Sequence, residues 1–149
     1  MGTAEQNREQ WDELRAVFVQ NQGASFCKKA TAYMEHLHWY SDTFELETGQ
    51  TLDTYRRILR DDLPAPKKGT AMALCVGFGL DYRMSTDLLQ SAGHALSLTN
   101  KTDNAYDYVL LIHPGQGLAV CNRELKARGV KPLGEKERKP DRIGAVRIQ

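Results

Sequence analysis

The sequence predicts an all-α protein. Apolar residues recur three and four positions apart along nearly the whole chain, no segment alternates with period two, and no run is rich in Val, Ile and Thr. Glycine, proline and cap-forming residues interrupt these stripes at short intervals, so each stripe has the length of an ordinary helix.

Trp11, Leu14 and Phe18 form the first amphipathic stripe, closed by Asn21-Gln22-Gly23. Phe26, Ala30, Tyr33, Met34 and Leu37 follow at the spacing that one buried helix face requires. Ser41 is the expected N-cap of a short third helix, with Asp42 at its positive end and Gly49 closing it. Thr51 then caps a fourth helix whose apolar series is Leu52, Tyr55, Ile58 and Leu59. Pro64 and Pro66 cannot lie inside a helix, so residues 60–66 are expected as a loop. Beyond it Ala71, Leu74, Cys75 and Phe78 make a fifth stripe, stopped by Gly79. Ser85 is the expected cap of a sixth helix through Leu88, Leu89 and Ala92, ended by Gly93. Asn100 to Asp103 offers cap chemistry for a seventh, carrying Ala105, Tyr108, Val109 and Ile112 and broken at Pro114-Gly115. The last holds Val120, Cys121 and Leu125 and meets a full stop at Arg128, Gly129 and Pro132. From residue 134 the chain is charged and short of core residues, which predicts a flexible tail.

With 149 residues, 41% of them hydrophobic, the chain suits one compact domain or a domain with an appended piece. Twenty Lys and Arg nearly cancel nineteen Asp and Glu, so the molecule as a whole exerts no long-range pull on nucleic acid or anionic membrane. The distribution is uneven: the net charge is −1 over residues 1–40, −1 over 41–70, −2 over 71–121 and +5 over 122–149. The longest mostly apolar stretch, residues 71–80, is half of the ~20 residues a bilayer span needs, so no membrane partner is expected. The first residues lack the basic and apolar regions of a secretory leader, making the expected location cytoplasmic. Cys27, Cys75 and Cys121 are odd in number and far apart, which suits neither a disulfide framework nor a zinc site and predicts buried thiols.

The informative stretch is YSDTFELETGQTLDTYRRILRDDLPAP, residues 40–66. A helix reads DNA only if it enters the major groove with its N-terminal side chains free while its opposite face is anchored. Leu52, Tyr55, Ile58 and Leu59 supply the anchor, leaving Asp53, Thr54, Arg56, Arg57 and Arg60 for the other side. An arginine there can donate two parallel hydrogen bonds to guanine, worth ~1–3 kcal/mol of discrimination.

This stretch resembles the helix-turn-helix of the lambda-repressor-like (Xre-type) DNA-binding family, with Phe44 at a core position, Gly49 at the interhelical turn, and Tyr55 and Ile58 at buried positions of the recognition helix. AMALCVGFGL and STDLLQSAG look like the fourth and fifth helices of that family, so the resemblance runs from about Phe26 to Gly93. AYDYVLLI through ELKARGVKPLG resembles a two-helix extension of bacterial members from Gram-positive lineages. The implied architecture is an N-terminal helix and linker over 1–25, a five-helix lambda-repressor-like domain over 26–96, a helical extension over 97–133 and a tail over 134–149. The resemblance also implies base-facing roles for Leu52, Asp53 and Arg57, and places Ser41 and Thr43 near the DNA backbone. Arg56, Arg60, Lys67 and Lys68 complete the expected backbone contacts, which orient without reading sequence. Three features depart from the family pattern: Glu45 stands where a small residue is usual, Asp61-Asp62 replaces an Asn-Gly turn, and Asp42 adds negative charge at the positioning helix. Residues 50–70 carry a surplus of only +2, so nonspecific affinity is expected to be weak and a dimer would compensate.

Other constellations point to structure. His36 and His38 are two apart and fall on different helix faces, unlike the i, i+4 pair of a helical metal site. GFG at 77–79 and PGQG at 114–117 lack the context of phosphate loops and read as turns or close-packing glycines. Cys27 has lysine neighbours but no Cys-His-Asn order, and Asp61-Asp62 and Asp103/Asp107 suit turns and caps better than acid–base pairs. Trp39 and Tyr40 read as closing the corner between two helices, and the basic residues of 136–147 as keeping a tail soluble. The expected function is therefore a non-enzymatic, sequence-specific transcriptional regulator, a homodimer on double-stranded DNA without catalytic residues, metal or cofactor. The alternative is a protein-interaction module with a helix-turn-helix fold, of the kind used in mobile-element, toxin–antitoxin or phage-defence systems. In either case residues 97–133 are the expected dimer or partner surface.

Overall fold

The computed structural model describes residues 4–134, which form eight helices and no strand. Residues 1–3 and 135–149 lie outside the described residues, and with them all but the first position of the expected tail. The helices are α1 (Ala4–Gln20), α2 (Phe26–His36), α3 (Ser41–Thr48), α4 (Leu52–Leu59), α5 (Lys68–Phe78), α6 (Tyr82–Ser91), α7 (Lys101–Ile112) and α8 (Leu118–Ala127).

The centre is α5. Residues 71–76 are all buried, so this helix is apolar all round and must be enclosed by others. Helices α2, α3, α6 and α8 pack on it. Fully burying a side chain such as Leu74 is worth about 1.5–3 kcal/mol relative to leaving it in water. From α1, Leu14 and Phe18 enter the same cluster, and Ala105, Val109, Cys121 and Leu125 enter it from α7 and α8. The last two helices therefore share one core with the rest.

Caps follow local chemistry at most helix ends. Ser25 accepts from the Lys28 N–H, Thr51 from Thr54 and Asn100 from Asp103. Two expected caps are corrected. Ser41 lies inside α3, because Trp39 packs on Phe78 with ring centroids 5.1 Å apart and the chain turns at His38 and re-enters helix at Tyr40. Tyr40 itself is left outward, 73% exposed. Ser85 lies one turn into α6: Asp81 caps the Met84 N–H as soon as Leu80 is buried, and the buried Ser85 hydroxyl donates back to the Leu80 carbonyl.

Two expected stripes are also rotated. Leu59 is 48% exposed, leaving Ile58 as the deep anchor of α4. In α7 the buried apolar residues are Ala105, Tyr106, Val109 and Leu110, whereas Leu111 and Ile112 face outward. Residues 108–112 are apolar throughout, so periodicity alone does not select their buried face.

Two buried polar side chains tie separate parts of the fold together. Lys29 meets Asp87 at 2.6 Å, tying α2 to α6. Asn122 of α8 donates to the Leu133 carbonyl at 2.8 Å and accepts the Leu133 N–H at 2.7 Å, so residues 131–134 are held against the body.

Candidate nucleic-acid interface

Two eight-residue helices, α3 and α4, meet at Gly49. Gly49 is left-handed, φ 68°, and its N–H closes α3 on the Glu45 carbonyl. Beside it the fully buried Thr48 hydroxyl donates to the Phe44 carbonyl at 2.6 Å and accepts from the Gln50 N–H at 3.1 Å. The side chain thus replaces backbone partners lost at the turn. Gly77 lets α5 approach α3 closely, since a β-carbon there would stand 2.8 Å from both the Glu47 carbonyl oxygen and Thr48 Cγ2. The close-packing role expected for that glycine is observed. Phe44 and Tyr55 rings pack 5.4 Å apart across the turn, and Ile58 is buried. Both helices are consequently anchored from within.

The outer side of α4 presents Asp53, Arg56, Leu59 and Arg60, all exposed, with Leu52, Thr54 and Arg57 half-buried. Arg57 folds back, its Nε donating to the Asp62 carbonyl at 3.2 Å. Arg60 stands 4.0 Å from the Asp62 carboxylate in an open, weak pair. Asp61 occupies the left-handed region at φ 56°, a conformation that aspartate tolerates and that an Asn-Gly turn would also use. Ser41 and Thr43 lie half-buried at the start of α3, next to exposed Asp42. Glu45 is exposed, so its bulk does not disturb the contact that Thr48 makes with α5.

The two lysines separate. Lys67 is exposed at the N-cap of α5. Lys68 turns inward to both carboxylate oxygens of Asp103 at 3.0 Å and to the Ala95 carbonyl at 3.1 Å, an internal tie between α5 and the approach to α7. Residues 131–134 run past the turn, where a groove of about 370 Å³ is lined by Gly49, Thr51, Lys67 and Lys131. This close passage had no signal in the sequence beyond Gly134 itself. Leu46, 75% exposed on α3, was legible as lying off the Phe44/Thr48 face but was not singled out.

The cysteines are buried and free. Burial pushes Cys75 up to about 12 and Cys121 up to about 11, and raises Cys27 despite the opposing bond to the Leu63 carbonyl, so all three stay thiols at neutral pH. Among the described residues no three His, Cys, Asp or Glu side chains converge as a metal cluster. No described helix is long and apolar enough to cross a membrane. Comparison with protein-family models, curated proteins and solved structures returns no match.

Proposed function

We propose that the chain is a cytoplasmic, lambda-repressor-like (Xre-type) regulator that binds double-stranded DNA through α3 and α4, with α4 in the major groove. The observation that carries this reading is the anchored pair itself: Phe44, Tyr55 and Ile58 hold the inner faces while Asp53, Arg56 and Arg60 stand outward on α4. Leu52, Asp53 and Arg57 are the proposed base readers, with Arg57 leaving the Asp62 carbonyl on engagement. Arg56, Arg60, Lys67, Ser41 and Thr43 supply backbone contacts, and the internal pairing of Lys68 argues for leaving it out of that set. A homodimer would place two such units one DNA turn apart, and the outward Leu111 and Ile112 at the end of α7 favour the 97–133 region as its surface.

A second reading is favoured by exposed Leu46, Leu59 and Tyr40 near the same unit: a partner-binding module with little DNA affinity. Selection from a random-sequence duplex library, followed by salt-dependent binding of the parent and of Arg57→Ala, separates the two. Enrichment of one motif, with discrimination weakened in the variant, supports DNA readout. No enrichment, and equally negligible retention of both proteins, supports the partner module and removes the first reading.

A further inference from the structure

The groove beside the α3–α4 turn carries positive charge on its walls. Its volume, about 370 Å³, falls in the ~300–1,000 Å³ range of small-molecule sites, and the described residues that line it include Lys67 and Lys131 but no aspartate or glutamate. One edge is bare backbone, where Gly134 crosses Gly49 so closely that a β-carbon on Gly134 would stand 2.6 Å from the Thr48 carbonyl oxygen and 2.9 Å from Gly49 Cα.

The N-terminus of the eleven-residue α5 opens on this groove through Gly69 and Thr70, and no side chain caps it. The Ala71 N–H is the first to find a backbone acceptor, the Lys67 carbonyl at 3.0 Å, which leaves the N–H groups of Lys68, Gly69 and Thr70 without a partner among the described residues. An open helix end of this kind favours negative charge. A second feature, independent of the helix, points the same way. Tyr106 of α7 is only 8% exposed, yet its hydroxyl has no hydrogen-bond partner among the described residues. It reaches the groove at the first turn of α5, with Oη 3.7 Å from where a β-carbon of Gly69 would stand. Burial, together with the nearby Asp103 charge, raises the Tyr106 pKa, so the group is a proton donor at neutral pH. Asp103 itself is engaged by Lys68. A buried hydroxyl left unpaired costs stability that an acceptor placed in the groove would return.

We propose that this groove binds a terminal phosphoryl group, that of inorganic phosphate or of a small phosphate monoester, between the α5 N-terminus, the Tyr106 hydroxyl and the Lys67 ammonium. A terminal phosphoryl group offers three unsubstituted oxygens and ~1.5–2 negative charges to this set of donors, whereas a diester such as the DNA backbone offers two oxygens and one charge. Lys67 also belongs to the proposed DNA-backbone contacts, so an occupied groove withdraws that cation from DNA. The site itself does not rest on the DNA-binding reading and is tested without DNA.

Isothermal titration calorimetry of the full chain at constant ionic strength, with inorganic phosphate, methyl phosphate and dimethyl phosphate as titrants, provides the test. Inorganic phosphate or methyl phosphate is expected to bind, the tighter of the two marking the free ion or the monoester as the ligand, and dimethyl phosphate to bind at least ~10-fold more weakly. Tyr106→Phe removes only a hydroxyl that no described residue uses, so its urea midpoint is expected to equal or exceed the parent's while its affinity falls ~10-fold or more. Lys67→Gln is expected to weaken binding as well, and Lys28→Gln, at an exposed position on α2, to leave it unchanged. Absence of binding by both phosphate and methyl phosphate, equal binding of dimethyl phosphate, or unchanged affinity in Tyr106→Phe overturns the site. Equal losses in Lys28→Gln and Lys67→Gln overturn it too, since they reduce the effect to nonspecific charge.

Discussion

Gly77 and Gly69 stand in the same helix, α5, and the same substitution is expected to move stability in opposite directions at the two. Alanine in place of glycine in a helix gains about 0.5–1 kcal/mol through reduced freedom of the unfolded chain, provided the new methyl group has room. At Gly69 it has room: the nearest atom, Tyr106 Oη, lies 3.7 Å from the new carbon, an ordinary contact. At Gly77 it meets the Glu47 carbonyl oxygen and Thr48 Cγ2, both at 2.8 Å. The carbonyl belongs to the α3 backbone and cannot rotate away, and Thr48 is held by its bonds to Phe44 and Gln50. Overpacking of this kind costs about 1–3 kcal/mol. The clash outweighs the entropic gain, so Gly77→Ala is expected to lose about 1–2 kcal/mol and Gly69→Ala to gain about 0.5. At about 2–4 °C per kcal/mol for a chain of this size, Gly77→Ala should melt about 2–8 °C below the parent. Urea titration followed by far-UV circular dichroism measures both. Gly77→Ala matching or exceeding the parent, with Gly69→Ala behaving as described, would refute the claim that α3 and α5 touch through this glycine.

Three further outcomes are expected. Asn122→Ala orphans the buried Leu133 N–H and carbonyl, and should lower unfolding free energy by about 2–4 kcal/mol in the same titration. Asp87→Ala strands the Lys29 ammonium, only 6% exposed, and should cost about 3–5 kcal/mol, whereas Lys29→Met/Asp87→Ala should recover most of the loss. Equal stability of the single and double variants would show that the charge is not the cause. The raised Cys75 and Cys121 thiols set a pH dependence. Above their ordinary value of 9.0 the unfolded chain loses protons that the native chain keeps up to about 11–12, so stability should fall as pH rises through that window. Urea midpoints at pH 8 and pH 10 for the parent and for Cys75→Ala/Cys121→Ala check it, the decline being smaller in the variant.

Helix ends decided by neighbours in sequence were legible. Thr51, Asn100, Gly49 and Gly79 cap or close helices as their side chains and φ freedom dictate. Ser41 and Ser85 were misplaced because the packing of Trp39 on Phe78 and the burial of Leu80, tertiary demands, start each helix earlier than a serine cap would. In the candidate site, the outward Arg56 and Arg60 follow from periodicity around Ile58. The turn of Lys68 toward Asp103 joins residues 35 apart, and no local pattern encodes it. The same holds for the passage of Gly134 over Gly49, which depends on how α8 packs against α5.

The protein also contains its own optical reporter. Of its two tryptophans, Trp11 is 41% exposed on α1, while Trp39 leans on Phe78 where the α2–α3 corner meets the end of α5. Replacing Trp11 by Phe leaves a single indole emitter seated on the joint that carries α3. Any ligand, duplex or partner that tilts α3 against α5 then changes that emitter's surroundings, and its wavelength follows the movement without an added dye.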